Sequence, residues 1–341
     1  MGTCLDCCKG QNINEQLMET LLTSDELHFA KTMNNPLPVE KITDDEKNYV
    51  LNSVKTRGSN IQKFNKMYRG DKDIALAAVK QEGSSIIYFD PKLKKDYDVI
   101  FASLNNRGSL EYIDASMKAD KKVVLYAVKI NSFNLYFADQ SLRKDKEVIL
   151  EAIKQNPTTL EYADPFLKKD KEIALIAVKN QGIALKFVDE SLKRDKDVVL
   201  AAIKQDGLAI QYADENLKKN KEIILEAVKQ DGDAIQLINE EMKKDQDIVL
   251  TAIMENPEAI SYAKELKEDR NFLLLALQKK GLALCYLDET SKKDKELVSE
   301  AVKQNGLALR YADVSLKNDP DIIRLAVEQN KEASKYAEMG L

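Results

Sequence analysis

The sequence predicts an all-α protein, an α-solenoid built as a right-handed superhelix-like array of about twelve helix-turn-helix repeats of 24–25 residues. Three observations lead there. The chain repeats itself: DKEIALIAVKNQGIALKFVDESLKR from Asp170 is followed by DKDVVLAAIKQDGLAIQYADENLKK from Asp195. The leading position recurs at Glu46, Asp71, Asp96, Asp120, Asp145, Asp170, Asp195, Asn220, Asp245, Asp269, Asp294 and Asp319. Within each unit the apolar residues fall at helical spacing, and a period of this length marks a stacked array rather than one closed core.

The leading Asp reads as the N-cap of the first helix of each unit, followed by an acidic first turn, as in Asp145, Lys146 and Glu147. Val148, Ile149, Leu150, Ala152 and Ile153 then cover most of the circumference, so this helix is expected to be buried nearly all round. Lys154 sits near the C-terminal end, where a cation is favoured. Twelve positions after the leading residue stand Gly58, Gly83, Gly108, Gly182, Gly207, Gly232, Gly281 and Gly306, read as residues that ease a helix-ending turn. Pro157 and Pro257 take that position in two units and fit the first position of the next helix. The second helix carries Ala184, Leu185, Phe187, Val188 and Leu192 on one face of a 3.6-residue period, an amphipathic partner. The acids after its aromatic position, among them Asp139, Asp164, Asp189 and Asp214, are read as caps and turn formers; they lack the spacing and central glycine of a calcium loop.

Units of this kind resemble the tandem two-helix repeats known as domain of unknown function 4116. The resemblance covers residues 46–341, and the units quoted above carry it. It implies a helical array with a binding role and no assigned reaction.

Composition excludes several functions. The chain has 341 residues with a net charge of -5, so bulk attraction to nucleic acid is not expected. It holds one histidine, His28, and lacks both a Ser/His/Asp set and a glycine-rich phosphate loop. No catalytic residue, metal site, cofactor or small-molecule substrate is expected. The strongest apolar run, Phe272 to Leu277, is cut short by Gln278, Lys279 and Lys280, too soon for a membrane span.

Residues 13–45 are expected to form a helical cap on the first repeat, and residues 1–12 a lipid-anchor segment. MGTCLDCCKG holds three of the four cysteines. Removal of Met1 would expose Gly2 for myristoylation, although Asp6 stands where Ser or Thr is preferred. One myristoyl chain binds only weakly, and Cys4, Cys7 and Cys8 are placed to take palmitate as the second signal. The segment resembles the amino termini of dually acylated proteins. A zinc reading of these thiols lacks a fourth ligand, and a redox reading needs a different fold. The expected location is the cytoplasmic face of a membrane, otherwise the cytoplasm. The expected function is a membrane-tethered scaffold for an unknown protein partner. The rival is a soluble structural protein of a cytoskeletal or ciliary assembly with incidental cysteines.

Candidate partner-binding residues come from breaks in the repeat. One position before the second-helix aromatic most units are polar, as at Glu161, Lys186, Gln211 and Arg310, whereas Ile87, Tyr136 and Cys285 are not. Phe133 lies three residues before Tyr136, on the same helical face, in a unit with Ser132 for the turn glycine. Both rings are either interface anchors or locally repacked core.

Overall fold

The structure is a computed structural model that describes residues 42–337. Among the described residues every regular element is helical. They fall into two compact units that part between Leu142 and Arg143. The first holds the long helices α1 (Asp44–Thr56), α2 (Lys72–Gln81), α3 (Tyr97–Asn105) and α4 (Lys121–Ile130). The second holds α5 (Lys146–Gln155), α6 (Lys171–Asn180), α7 (Lys196–Gln205), α8 (Lys221–Gln230), α9 (Gln246–Glu255), α10 (Arg270–Lys279), α11 (Lys295–Gln304) and α12 (Pro320–Gln329). Inside each unit every long helix packs on the next, as an α-solenoid does.

The leading residue caps as expected. Asp170 Oδ1 accepts from the backbone N–H groups of Glu172 (2.9 Å) and Ile173 (3.2 Å), satisfying two donors that have no partner inside the helix. Asn220 does the same for α8. In the first repeat the cap is Thr43, and Glu46 serves as its capping-box partner at the third helical position.

The second helix is different from the expectation. It is a six-residue 3₁₀ helix, for example Gly182–Phe187, followed by a short closing turn, here Leu192–Arg194. Each repeat therefore has three elements. In a 3₁₀ helix residues three apart eclipse, and Gly182, Leu185 and Val188 are buried at that interval while Lys186 is exposed. Pro157 and Pro257 open their 3₁₀ helices as the sequence predicts.

The glycines also act differently. No glycine among the described residues has positive φ, and Gln181, at the end of α6, is extended (φ -153°). What Gly182 supplies is proximity: a Cβ there would lie 2.6 Å from the carbonyl oxygen of Ala202 in the next repeat. Its N–H donates to the side-chain oxygen of Gln205, again in the next repeat. The glycine is a contact point between repeats, not a left-handed helix end.

The long helix is likewise less enclosed than its apolar run implies. Val148, Ile149, Ala152 and Ile153 are fully buried, whereas Leu150 is only half-buried beside exposed Glu147 and Lys154. One stripe of the helix remains at the surface. The core lies between that helix and the 3₁₀ layer, where Leu160, Ala163 and Leu167 complete it.

Candidate functional site

Successive repeats are joined along one edge by ion pairs. The first helical residue of α5, Lys146, reaches the next cap Asp170 (2.9 Å) and Glu172 (2.8 Å). Lys171 reaches Asp195 (2.7 Å) and Asp197 (2.9 Å), and Lys221 reaches Asp245 and Asp247 (2.7 Å each). Arg270 and Lys295 continue the pattern to Asp294 and Asp319. The Lys146 ammonium holds the Asp170 carboxyl below the usual carboxylate range, aided by the Ile173 N–H and opposed by partial burial. This edge is consumed by its own linkages. It offers few unpaired charges to a ligand.

A second row of acids ties the closing turns together. Asp189 Oδ1 accepts from the Ser191 N–H (3.0 Å), and the Asp189 N–H donates to the Lys168 carbonyl one repeat earlier (3.0 Å). Asp214 repeats both bonds with Asn216 and Lys193. These acids are caps, as the sequence predicts, and also links between repeats, which it does not. Among the described residues no group of three or more His, Cys, Asp or Glu side chains is placed to hold a metal ion.

Gly2, Cys4, Cys7, Cys8 and His28 lie outside the described residues. Phe133 and Tyr136 come together on the 3₁₀ helix Ser132–Phe137, and both are exposed, at 49% and 57%. The rings are not core. Tyr136 stands edge-on to Phe137, with ring centroids 5.0 Å apart. Asn134, between the two exposed rings, is buried and accepts from the Leu110 N–H (3.0 Å), which pins this 3₁₀ helix to the preceding repeat. Ile87 is exposed at 45% in the same column but two repeats earlier, with Glu111 between them. Cys285 is half-buried.

Two features escaped the sequence reading. Phe166, at 78% exposure, stands in the closing turn Pro165–Lys168, where neighbouring repeats carry Ser141, Ser191 or Asn216. Comparing that column would have found it. The other is an open cleft of about 520 Å³ lined by Lys179, Asp197, Leu200, Ala201, Lys204 and Gln205. No helix of the described residues is long and apolar enough to cross a membrane.

With the three-part repeat and its linkages established, comparison with known proteins gives one family. Its model matches residues 47–94, 71–118, 96–143, 120–168, 145–193, 170–218, 195–243, 220–265, 245–291 and 294–338, each match spanning about two of the repeats described above. No curated protein and no solved structure matches the chain. By the extent of those matches the chain belongs to the helical repeat family described as Domain of unknown function (DUF4116).

Proposed function

We propose that this protein is a membrane-tethered helical repeat scaffold that presents a protein-binding surface and carries out no reaction of its own. The observation that supports it most directly is the exposure of Phe133 and Tyr136 on one 3₁₀ face whose backbone is fixed by Asn134. Exposed, rigidly placed aromatics are the residues that anchor protein interfaces, since each buries a large area on binding at low entropic cost. The tether rests on Gly2 with Cys4, Cys7 and Cys8, because two lipid signals are needed for lasting attachment. The absence of a reaction rests on the lack of acid-base residues suited to neutral pH, with one histidine in the whole chain.

The test combines two variants of the full chain. Phe133→Ala with Tyr136→Ala should keep the melting temperature and lose partner capture from native membranes; a drop of several degrees would return the rings to a structural role. Gly2→Ala should move the protein to the soluble fraction. A wild-type chain that is already soluble, with no acyl chain on metabolic labelling, would overturn the tether and favour a soluble structural array.

A further inference from the structure

We infer that the outer face of α6 and α7 is a docking surface for an acidic, leucine-bearing helix of a partner protein, a reading that rests on the scaffold function proposed above. The cleft between these helices has an apolar floor: Leu200 and Ala201 on α7 are half-buried, as are Leu175 and Ile176 at the same positions on α6. Neighbouring helix axes lie about 8–10 Å apart. On a peptide helix, side chains seven residues apart point the same way and are separated by about 10.5 Å. A helix laid along the stripe therefore sets one leucine against each repeat.

Charge decides the chemistry of that helix. On the N-terminal margin of the stripe the acids are already paired, Glu172 with Lys146 (2.8 Å) and Asp197 with Lys171 (2.9 Å). On the C-terminal margin Lys179 and Lys204 are exposed and have no ion pair within 4.0 Å among the described residues. The acid closest to Lys204 in sequence, Asp206, is engaged as the cap of the following 3₁₀ helix, accepting from Leu208 N–H (2.9 Å). Lys146 and Lys171 are each shared with a cap acid, Asp170 and Asp195, so the positive excess lies on the C-terminal margin alone. It selects carboxylates on the flank of the incoming helix that faces Lys179 and Lys204. Glu151 and Glu226 take the positions of Ile176 and Ala201 on the flanking helices, so the apolar, cationic patch is two repeats wide. That width fits a helical segment of about two to four turns. An anionic membrane is the poorer match, because lipid-binding patches gather about 4–8 Lys or Arg without interleaved acids.

The test uses the full chain and a labelled synthetic helix of about 14 residues with two leucines seven apart and glutamates flanking them. Fluorescence anisotropy should show binding that weakens as salt is raised, and by about fivefold or more in Lys179→Gln with Lys204→Gln. Ala201→Glu should abolish it. Lys179 and Lys204 are exposed and glutamate already stands at the positions equivalent to Ala201, at Glu151 and Glu226, so circular dichroism and melting should be unchanged. Three results would overturn the inference: no binding of the acidic peptide, equal binding of a version with lysine for glutamate, or wild-type affinity in the double glutamine variant. If vesicles of phosphatidylcholine with about 30% phosphatidylserine bind the unacylated chain and release the double variant, the face serves lipid instead. Phe133→Ala with Tyr136→Ala should leave peptide affinity intact. Loss of membrane partners in that aromatic variant, with no peptide binding in the wild type, would retain the scaffold and discard this surface.

Discussion

Repeats 145–244 and repeats 96–144 solve the same packing problem with different edges. In the first group Lys146 and Lys171 bridge to the cap and the second acid of the next repeat. In the second, Tyr97 stands where the lysine would be and its hydroxyl donates to Asp120 (2.6 Å). Lys122 lies over the Tyr97 ring at 5.3 Å, and the Phe101 and Tyr126 rings pack 4.4 Å apart. Arg107 adopts a left-handed φ of 60° in the turn that follows α3. Yet Val99 and Ile100, Val123 and Val124, and Val148 and Ile149 are all fully buried at equivalent positions. The core is the constant part. The edge is where one linkage replaces another, which leaves it room to acquire binding features.

That contrast is sharpest in the core, where both groups should fail alike. Ile149→Ala should cost about 2–5 kcal/mol, and Val124→Ala a smaller cost of the same kind, read as lower midpoints in urea unfolding. A negligible effect at either site would break the claim of a shared core. The contact between repeats should separate the groups. Gly207→Ala forces a Cβ to 2.6 Å from the Ala227 carbonyl and should cost about 1–3 kcal/mol. Ser132, the equivalent residue in the irregular group, already carries a Cβ, so Ser132→Ala should cost about 0.5 kcal/mol or less.

The last contrast is electrostatic. Asp170→Ala should cost about 0.5–2 kcal/mol through the lost cap. The Asp170 carboxyl is held low by Lys146 foremost, so its folded pKa lies below the unfolded value. Its contribution is therefore present above about pH 4 and is lost as pH falls through the folded value. The stability gap between wild type and variant should be flat from about pH 7 to 5 and narrow below about 4. At Asp120 the lowering comes foremost from the uncharged Tyr97 hydroxyl. Salt at about 0.5 M should then shrink the cost of Asp170→Ala more than that of Asp120→Ala. Equal salt responses would erase the distinction between the two edges.

Much of this is legible in the sequence. The period and the cap at Asp170 follow from local rules, since an Asp before an apolar run satisfies the same donors wherever it occurs. The 3₁₀ layer is not, because Leu185 and Val188, three apart, suit either helix type. Gly182 reads locally as a helix-ending turn, whereas its cause is the Ala202 carbonyl, twenty residues on, which only stacking brings close. The Lys146 to Glu172 pair is hidden likewise by a separation of 26 residues. Tyr136 stands out because it breaks a polar column, and Phe133 because it lies three residues earlier on the same face. The α6–α7 cleft does not, because Ile173 to Ile176 reads as uniformly buried and only the packing shows which two are half-open.

The bond from the Asp214 N–H to the Lys193 carbonyl, like the Asp189 to Lys168 bond before it, reaches one repeat back and no further. Inside either compact unit such a molecule responds to pulling as a line of short latches rather than as one lock. Tension along the chain would open a terminal latch before the interior ones, because a terminal repeat is held by one neighbour and an interior repeat by two. Every opening would pay out one repeat of 25 residues, at about 3.3–3.6 Å per residue a slack of roughly 80–90 Å. A protein held at one end and gripped at a repeat would thus lengthen in even steps, and its remaining faces would stay folded for use.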